Sequence, residues 1–269
     1  LIYLLSLMAI VNVTPDSFSD GGSYQTEEQF QIYLDEVEND VHYLDLGAES
    51  TRPGATLLKP KEEIERLKPF LKTLNQRYHG KTFRPQISVD TRQGDVATWA
   101  LENGADIIND VSGLTCKTMK ALLKKEKFKY VLMHSLSVPA DPKNTLDSKE
   151  PTVPQLQKWF SQKLDEILDL GVEKSRLILD PGVGFGKTAR QSLEIMQDFQ
   201  KFWCFDIPIL IGHSRKSFLS TVTAANPKER DFESTGVSVK LVDRGVEILR
   251  VHNPLAHKRA CLAAGLLDR

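Results

Sequence analysis

Apolar residues along this chain fall into short runs separated by longer amphipathic stretches. The runs are Leu7–Val13, Tyr43–Gly47, Gln86–Asp90, Asp106–Asp110, Lys129–His134, Arg176–Asp180, Ile207–Gly212 and Glu247–His252. They are rich in Ile, Val and Leu, as strands covered on both faces should be. Between them the period changes. Lys61–Arg77 places Ile64, Leu67, Leu71 and Leu74 on one helical face, and Gln155–Leu170 does the same with Leu156, Phe160, Leu164, Ile167 and Leu168, before Gly171 ends the helix. Strict alternation of strand and helix predicts a parallel sheet, and eight strands predict a single (β/α)8 barrel spanning residues 1–269. An open, doubly wound sheet is the alternative.

One feature favours the barrel. Nearly every run ends in a polar group: Asn12, Asp45, Asp90, Asn109, His134, Asp180, the turn Ser214-Arg215-Lys216, and Arg250 with His252. An open sheet gathers ligand groups mainly at its switch point. A barrel mouth takes them from the carboxyl end of every strand, which is where such folds carry their active sites. The polar segment Ser135–Pro154 reads as a long, mobile loop.

Composition narrows the function classes. With 35 basic and 36 acidic residues the net charge is -1, which gives no support to wholesale nucleic-acid or anionic-membrane binding. Cys116, Cys204 and Cys261 are widely spaced and form no CxxC pair, so neither a disulfide framework nor a thiolate zinc site is expected and a cytoplasmic setting fits. No stretch approaches ~18 consecutive apolar residues. The apolar start reads as a strand, and its first residue is Leu, so a longer, fused polypeptide is one expectation.

The glycine-rich stretch DPGVGFGKT (180–188) invites a nucleotide reading that fails. A Walker A loop needs Gly where Pro181 stands, and the spacing is not that of a dinucleotide fingerprint. Its glycines instead let backbone approach a flat ligand or a neighbouring loop. Asp90, Asn109 and Asp180 make an acceptor–donor–acceptor set suited to the aminopyrimidine edge of a flat heterocycle. Taken singly, each could equally cap a helix or turn. A cationic set, Arg215, Lys216, Arg250 and His252, follows strands seven and eight, where these barrels often hold phosphate, and Ser214 could add a hydrogen bond. His213 reads as structural, and His134 is open between core and site. No HExxH or His/Cys cluster points to zinc; a diphosphate substrate would bring Mg²⁺, with Asn12 the candidate ligand.

The segments NVTPDSFSDGG, ESTRPGA, SVDT, GADIINDVSG, VLMH, LDPGVGFGKT, SRKSF and RVH, in this order, resemble those of the dihydropteroate synthases. The resemblance runs from about residue 8 to 253. It implies a TIM-barrel transferase of folate biosynthesis, generally a homodimer and the target of sulfonamides. Such enzymes join p-aminobenzoate to 6-hydroxymethyl-7,8-dihydropterin diphosphate with Mg²⁺. It implies pterin contacts from Asp90, Asn109, Met133, Asp180 and Lys216, and diphosphate and metal contacts from Asn12, Arg250 and His252. Phe18, Thr51, Arg52, Pro53, Phe185, Ser214 and Lys216 would surround p-aminobenzoate. The segment after the first strand would be a lid, with Asp20 facing charge that develops on the pterin methylene; Asp20, Lys216, Arg250 and His252 are thus the catalytic candidates. A pterin pyrophosphokinase fused ahead of Leu1 is a further implied partner, and neither nucleic acid nor membrane is.

Two departures from the usual family pattern are Ala48 in Gly47-Ala48 and Asn253 after His252, and Arg92 could add charge near the mouth. The competing reading is a pterin-binding methyltransferase domain serving a corrinoid protein. It would share the carboxylates but not need the lid or the SRK and RVH cations.

Overall fold

The structure, a computed structural model, describes residues 5–13, 26–51 and 54–267. Eight strands alternate with eight α-helices along these residues. The strands are β1 (Ser6–Asn12), β2 (Tyr43–Gly47), β3 (Gln86–Asp90), β4 (Ile107–Asp110), β5 (Lys129–Met133), β6 (Leu177–Asp180), β7 (Leu210–Ile211) and β8 (Ile248–Val251). All pair in parallel, in the order β6-β5-β4-β3-β2-β1-β8-β7. The ring closes where Leu179 bridges Ile209 and the Leu179 amide donates to the Pro208 carbonyl at 2.9 Å. The barrel, rather than the open sheet, is therefore the fold.

Alternation along each strand decides what fills the barrel. Leu7, Ala9, Val11, Leu44, Leu46, Ile87, Val89, Ile108, Leu132, Leu179, Leu249 and Val251 belong to the large cluster that packs the helices on the outside. The residues between them face inward. The lower interior layer, Met8, Ile107, Val131, Ile178, Leu210 and Ile248, is a separate apolar cluster. Two residues further along four of the strands the interior turns polar, at Asp45, Asn109, Asp180 and Arg250. A period of two thus fills the lower barrel with hydrocarbon and sets charge at its carboxyl end.

The helices are α1 (Glu27–Val37), α2 (Pro60–Tyr78), α3 (Gly94–Glu102), α4 (Lys117–Lys125), α5 (Thr152–Asp169), α6 (Ala189–Asp198), α7 (Asp231–Asp243) and α8 (Pro254–Ala263). In α2, Leu67, Leu71 and Leu74 are buried, with Ile64 packed at the edge. In α5 the face is Leu156, Phe160, Leu164 and Ile167, whereas Leu168 is exposed, since the stripe turns away one residue sooner than its apolar character suggests. Strand seven is much shorter than Ile207–Gly212, because only Leu210 and Ile211 stay in register with β8. The segment expected to be mobile is instead stitched down: the Ala140 amide donates to Thr51 and the Leu146 amide to Gly186. The three cysteines are free. No helix among the described residues is long and apolar enough to cross a membrane.

Candidate active site

The polar floor of the barrel mouth is built around Asp45, which is fully buried. Its Oδ1 accepts the Ser88 hydroxyl at 2.5 Å, and its Oδ2 accepts both Asn109 Nδ2 at 3.0 Å and Arg250 Nε at 2.6 Å. Arg250 also donates through Nη2 to Asp90 Oδ2 at 2.9 Å. Burial drives the Asp90 carboxyl up to about 7 against the pull of Arg250, with Asp45 and Glu63 adding to the rise. Burial alone would depress Arg250, but the carboxylates of Asp45 and Asp90 turn the net shift upward. The two sets anticipated from sequence, acidic and cationic, therefore interlock. Asp45, only one of many polar strand ends in the sequence, is the hub that joins them.

Asp180 ends β6, and its Oδ1 accepts the Gly182 amide at 2.7 Å. Burial raises its pKa despite the opposing pull of Lys216. A Cβ placed on Gly212 would lie 3.8 Å from Asp180 Oδ2, 3.9 Å from Lys216 Nζ and 3.9 Å from Arg250 Cβ. One point at the end of β7 thus looks onto the Asp180 carboxylate, the Lys216 ammonium and the stem of Arg250. Lys216 Nζ donates to the Val183 carbonyl at 2.5 Å and lies 4.5 Å from the centre of the Phe185 ring. Burial lowers its pKa to about 8, with Asp180 pulling it back up. The glycine-rich loop serves neighbouring backbone: Gly182, Gly184 and Gly186 all have positive φ, and a Cβ on Gly182 would meet the His134 carbonyl at 2.0 Å.

The segment after β7 is fastened from behind. Ser214 Oγ lies 3.0 Å from His252 Nδ1 and accepts the His252 amide at 3.3 Å. Arg215 is turned toward α7. Its guanidinium binds both oxygens of Asp231, at 2.6 and 2.8 Å, at the start of α7, and Asn253 Nδ2 reaches the same carboxylate at 3.2 Å. That contact explains the amide after His252, since a second carboxylate there would face Asp231. His213 is structural, with Nε2 3.0 Å from the Ser234 carbonyl and 2.9 Å from Ser238 Oγ, which in turn lies 2.6 Å from His257 Nδ1. Burial lowers the pKa of His213 to about 4 and that of His257 to about 3.

At the rim, Asn12 and Asp90 flank Gly47, where a Cβ would sit 4.0 Å from Asn12 Oδ1 and 3.8 Å from Asp90 Oδ2. Met133 is buried and lies beside Asp180 in the β5–β6 register. The Arg92 charge is spent on Glu49, at 2.8 and 3.1 Å, rather than on the mouth, and Glu49 also accepts the Leu58 amide. Thr51 sits where the β2 loop meets the β5 loop. His134 belongs to the interior, beside a buried Lys187 that the sequence motif did not single out. Phe18, Asp20, Arg52 and Pro53 lie outside the described residues. Among the described residues no group of three His, Cys, Asp or Glu could hold a metal ion.

A closed parallel barrel whose mouth carries interlocked carboxylates, an amide and cations is the frame of a pterin-handling enzyme. The chain belongs to the family described as pterin binding enzyme, whose model matches residues 8–252. Within it, the dihydropteroate synthase of Synechocystis sp. is 35% identical over 266 residues, 98% of this chain and 90% of that protein. The folate synthesis bifunctional protein of Chlamydia trachomatis is 36% identical over 263 residues, and the match covers 96% of this chain but 58% of that protein. The crystal structure of dihydropteroate synthase from Clostridium difficile, determined in the presence of pteroic acid, is similar with a TM-score of 0.85 at 34% identity, covering 97% of this chain and 96% of that one.

Proposed function

We infer that this chain is a transferase of folate synthesis, a dihydropteroate synthase. It condenses 6-hydroxymethyl-7,8-dihydropterin diphosphate with p-aminobenzoate and releases diphosphate. The observation that carries this reading is the interlock at one mouth: Asp90 bonded directly to Arg250, Asn109 joined to Arg250 through Asp45, and Asp180 beside Lys216.

In this reading the carboxylates of Asp90 and Asp180 accept the N–H groups of the pterin edge, and Asn109 pairs with it both ways. Burial raises both carboxyl groups because it disfavours their charged forms, and a donor edge would offset that cost. Lys216, Arg250 and His252 face the departing anion, and neutralising its charge lowers the barrier to departure. Phe185, Ser214 and Thr51 border the space for the second ring, with Phe18, Arg52 and Pro53 assigned to it from the sequence. Asn12 Oδ1, a hard oxygen at the rim, fits a Mg²⁺ that keeps its other positions for water and substrate phosphate, and that ion would supply charge neutralisation. No enzyme nucleophile is needed: the C–O bond to diphosphate breaks with its electron pair leaving on the diphosphate, the ring stabilises positive charge at its exocyclic carbon, and the amine forms the C–N bond there and releases one N–H proton to solvent or the departing diphosphate.

Mixing the pterin diphosphate with p-aminobenzoate should release diphosphate in step with dihydropteroate, and neither substrate alone should do so. Methyl transfer from methyltetrahydrofolate to a corrinoid protein, without diphosphate release, would instead favour the methyltransferase reading. In titration calorimetry Asp180→Asn should lose pterin binding; an equal loss for every ligand would reject its assignment.

A further inference from the structure

Lys187 is 7% exposed, and its hydrogen-bond partners are all formally neutral. Its Nζ lies 2.7 Å from His134 Nδ1 and donates to the His134 carbonyl at 3.0 Å and to the Phe185 carbonyl at 2.9 Å. The network closes whichever way the protons sit. An ammonium has three N–H groups for three acceptors. A neutral amine gives two to the carbonyls and takes the third bond on its lone pair from the Nδ1–H tautomer of His134. Burial depresses both groups far below their usual values. A lysine kept in such a place is retained for what it holds.

What it holds is the loop between β6 and α6. That loop carries Gly182, Gly184 and Gly186, all at positive φ, so the free chain has much conformational freedom to lose there. Its start is pinned by Asp180 to the Gly182 amide. Its end is pinned by Lys187, next to the capping box of Thr188 and Gln191 that opens α6. Between those two points lie the Val183 carbonyl and the Phe185 ring, which together hold Lys216.

We propose that Lys187 is a positioning residue: it tethers the glycine-rich loop to the end of β5, and so fixes where Val183 and Phe185 hold Lys216 for the second, aromatic amine substrate. The proposal rests on the synthase reading and deepens it.

The test compares wild type with Lys187→Met, which keeps the length of the side chain and loses all three hydrogen bonds. In steady-state assays KM for p-aminobenzoate should rise at least about tenfold. The alkaline limb of the pH profile should move by half a unit or more, and Kd for the pterin diphosphate should rise by a smaller factor than that KM. Unchanged kinetics in a folded variant overturn the proposal, as does an equal loss for both substrates, which would make Lys187 a general structural residue. Should Lys187→Met fail to fold, His134→Asn and His134→Leu replace it. Asn keeps an acceptor near Nδ1 and should behave like wild type, whereas Leu should show the p-aminobenzoate defect; identical behaviour of the two overturns the proposal. A wild-type protein that releases no diphosphate would defeat the synthase reading first, and the positioning role with it.

Discussion

Arg250 on β8 reaches over β1 to place Nε 2.6 Å from Asp45 Oδ2 on β2. The same guanidinium turns its Nη2 to Asp90 on β3 at 2.9 Å. One cation thus neutralises two carboxylates, Asp45 fully buried and Asp90 partly exposed, and its planar fork suits that double duty where an ammonium would not. In the proposed reading, a diphosphate approaching Arg250 meets a group already shared with the pterin side of the pocket, which couples the two halves of the site.

Asp45 should behave as the centre of that coupling. Asp45→Asn puts amide hydrogens in front of at least one donor among Ser88, Asn109 and Arg250. We expect kcat/KM to fall roughly 10- to 100-fold, the loss typical of a buried hydrogen bond to a charged group, with weaker affinity for the pterin and the diphosphate alike. Asp45→Ala leaves Arg250 without its nearest partner and should cost about 3–5 kcal/mol in denaturant unfolding. A Asp45→Asn variant with wild-type affinity for both ligands would show that Arg250 holds its place unaided.

Lys216 predicts an alkaline limit. Burial lowers its pKa to about 8. In the proposed reading the ammonium faces the second substrate and the departing anion, so kcat/KM should fall about tenfold per pH unit above that value. Lys216→Arg stays charged throughout and should lose this limb even if its rate is lower. Stability runs the other way: between about 8 and the ordinary lysine value the unfolded chain binds the extra proton, so deprotonation favours the folded state as pH rises. A profile flat to pH 10 would contradict the assignment.

Acid should unfold the protein through its buried histidines. His213 and His257 are held to about 4 and about 3, with Ser238 between them. Their folded values lie below the unfolded one, so their contribution is complete above about pH 6.5 and is lost as pH falls toward 4. At about 1.4 kcal/mol per unit, the shifts correspond to roughly 3.5 kcal/mol for His213 and roughly 5 kcal/mol for His257. Urea titrations at pH 7, 5.5 and 4.5 should show the decline, and His257→Asn should flatten it.

Gly182 should tolerate no side chain. Its φ is +68°, and a Cβ would sit 2.0 Å from the His134 carbonyl oxygen. Gly182→Ala therefore adds a steric clash to a left-handed penalty of about 1–2 kcal/mol. A lowered Tm, with KM for p-aminobenzoate raised because the loop carrying Phe185 has moved, is the expected result.

Much of this molecule was legible along the chain because strand alternation is a local property. A side chain's face follows from its place in the strand, so Asp90, Asn109, Asp180 and Arg250 could be set at the mouth before any contact was known. The adjacent Asp110 shows the same rule from the other side. It faces outward, where it accepts the Tyr130 hydroxyl at 2.6 Å and the Ser112 amide at 2.8 Å, and so serves the fold rather than the mouth. Which group meets which was decided only in three dimensions. Asp45 and Arg250 are 205 residues apart and become partners because closure of the barrel lays β8 against β1. Arg215, adjacent to Lys216 in the chain, is drawn away by Asp231 on α7. Lys187 sits in a motif read for its glycines and is buried against a strand end 53 residues earlier. Periodicity tells a side chain which way to point; charge and hydrogen bonding choose partners by distance, and distance between remote residues exists only once the chain has folded.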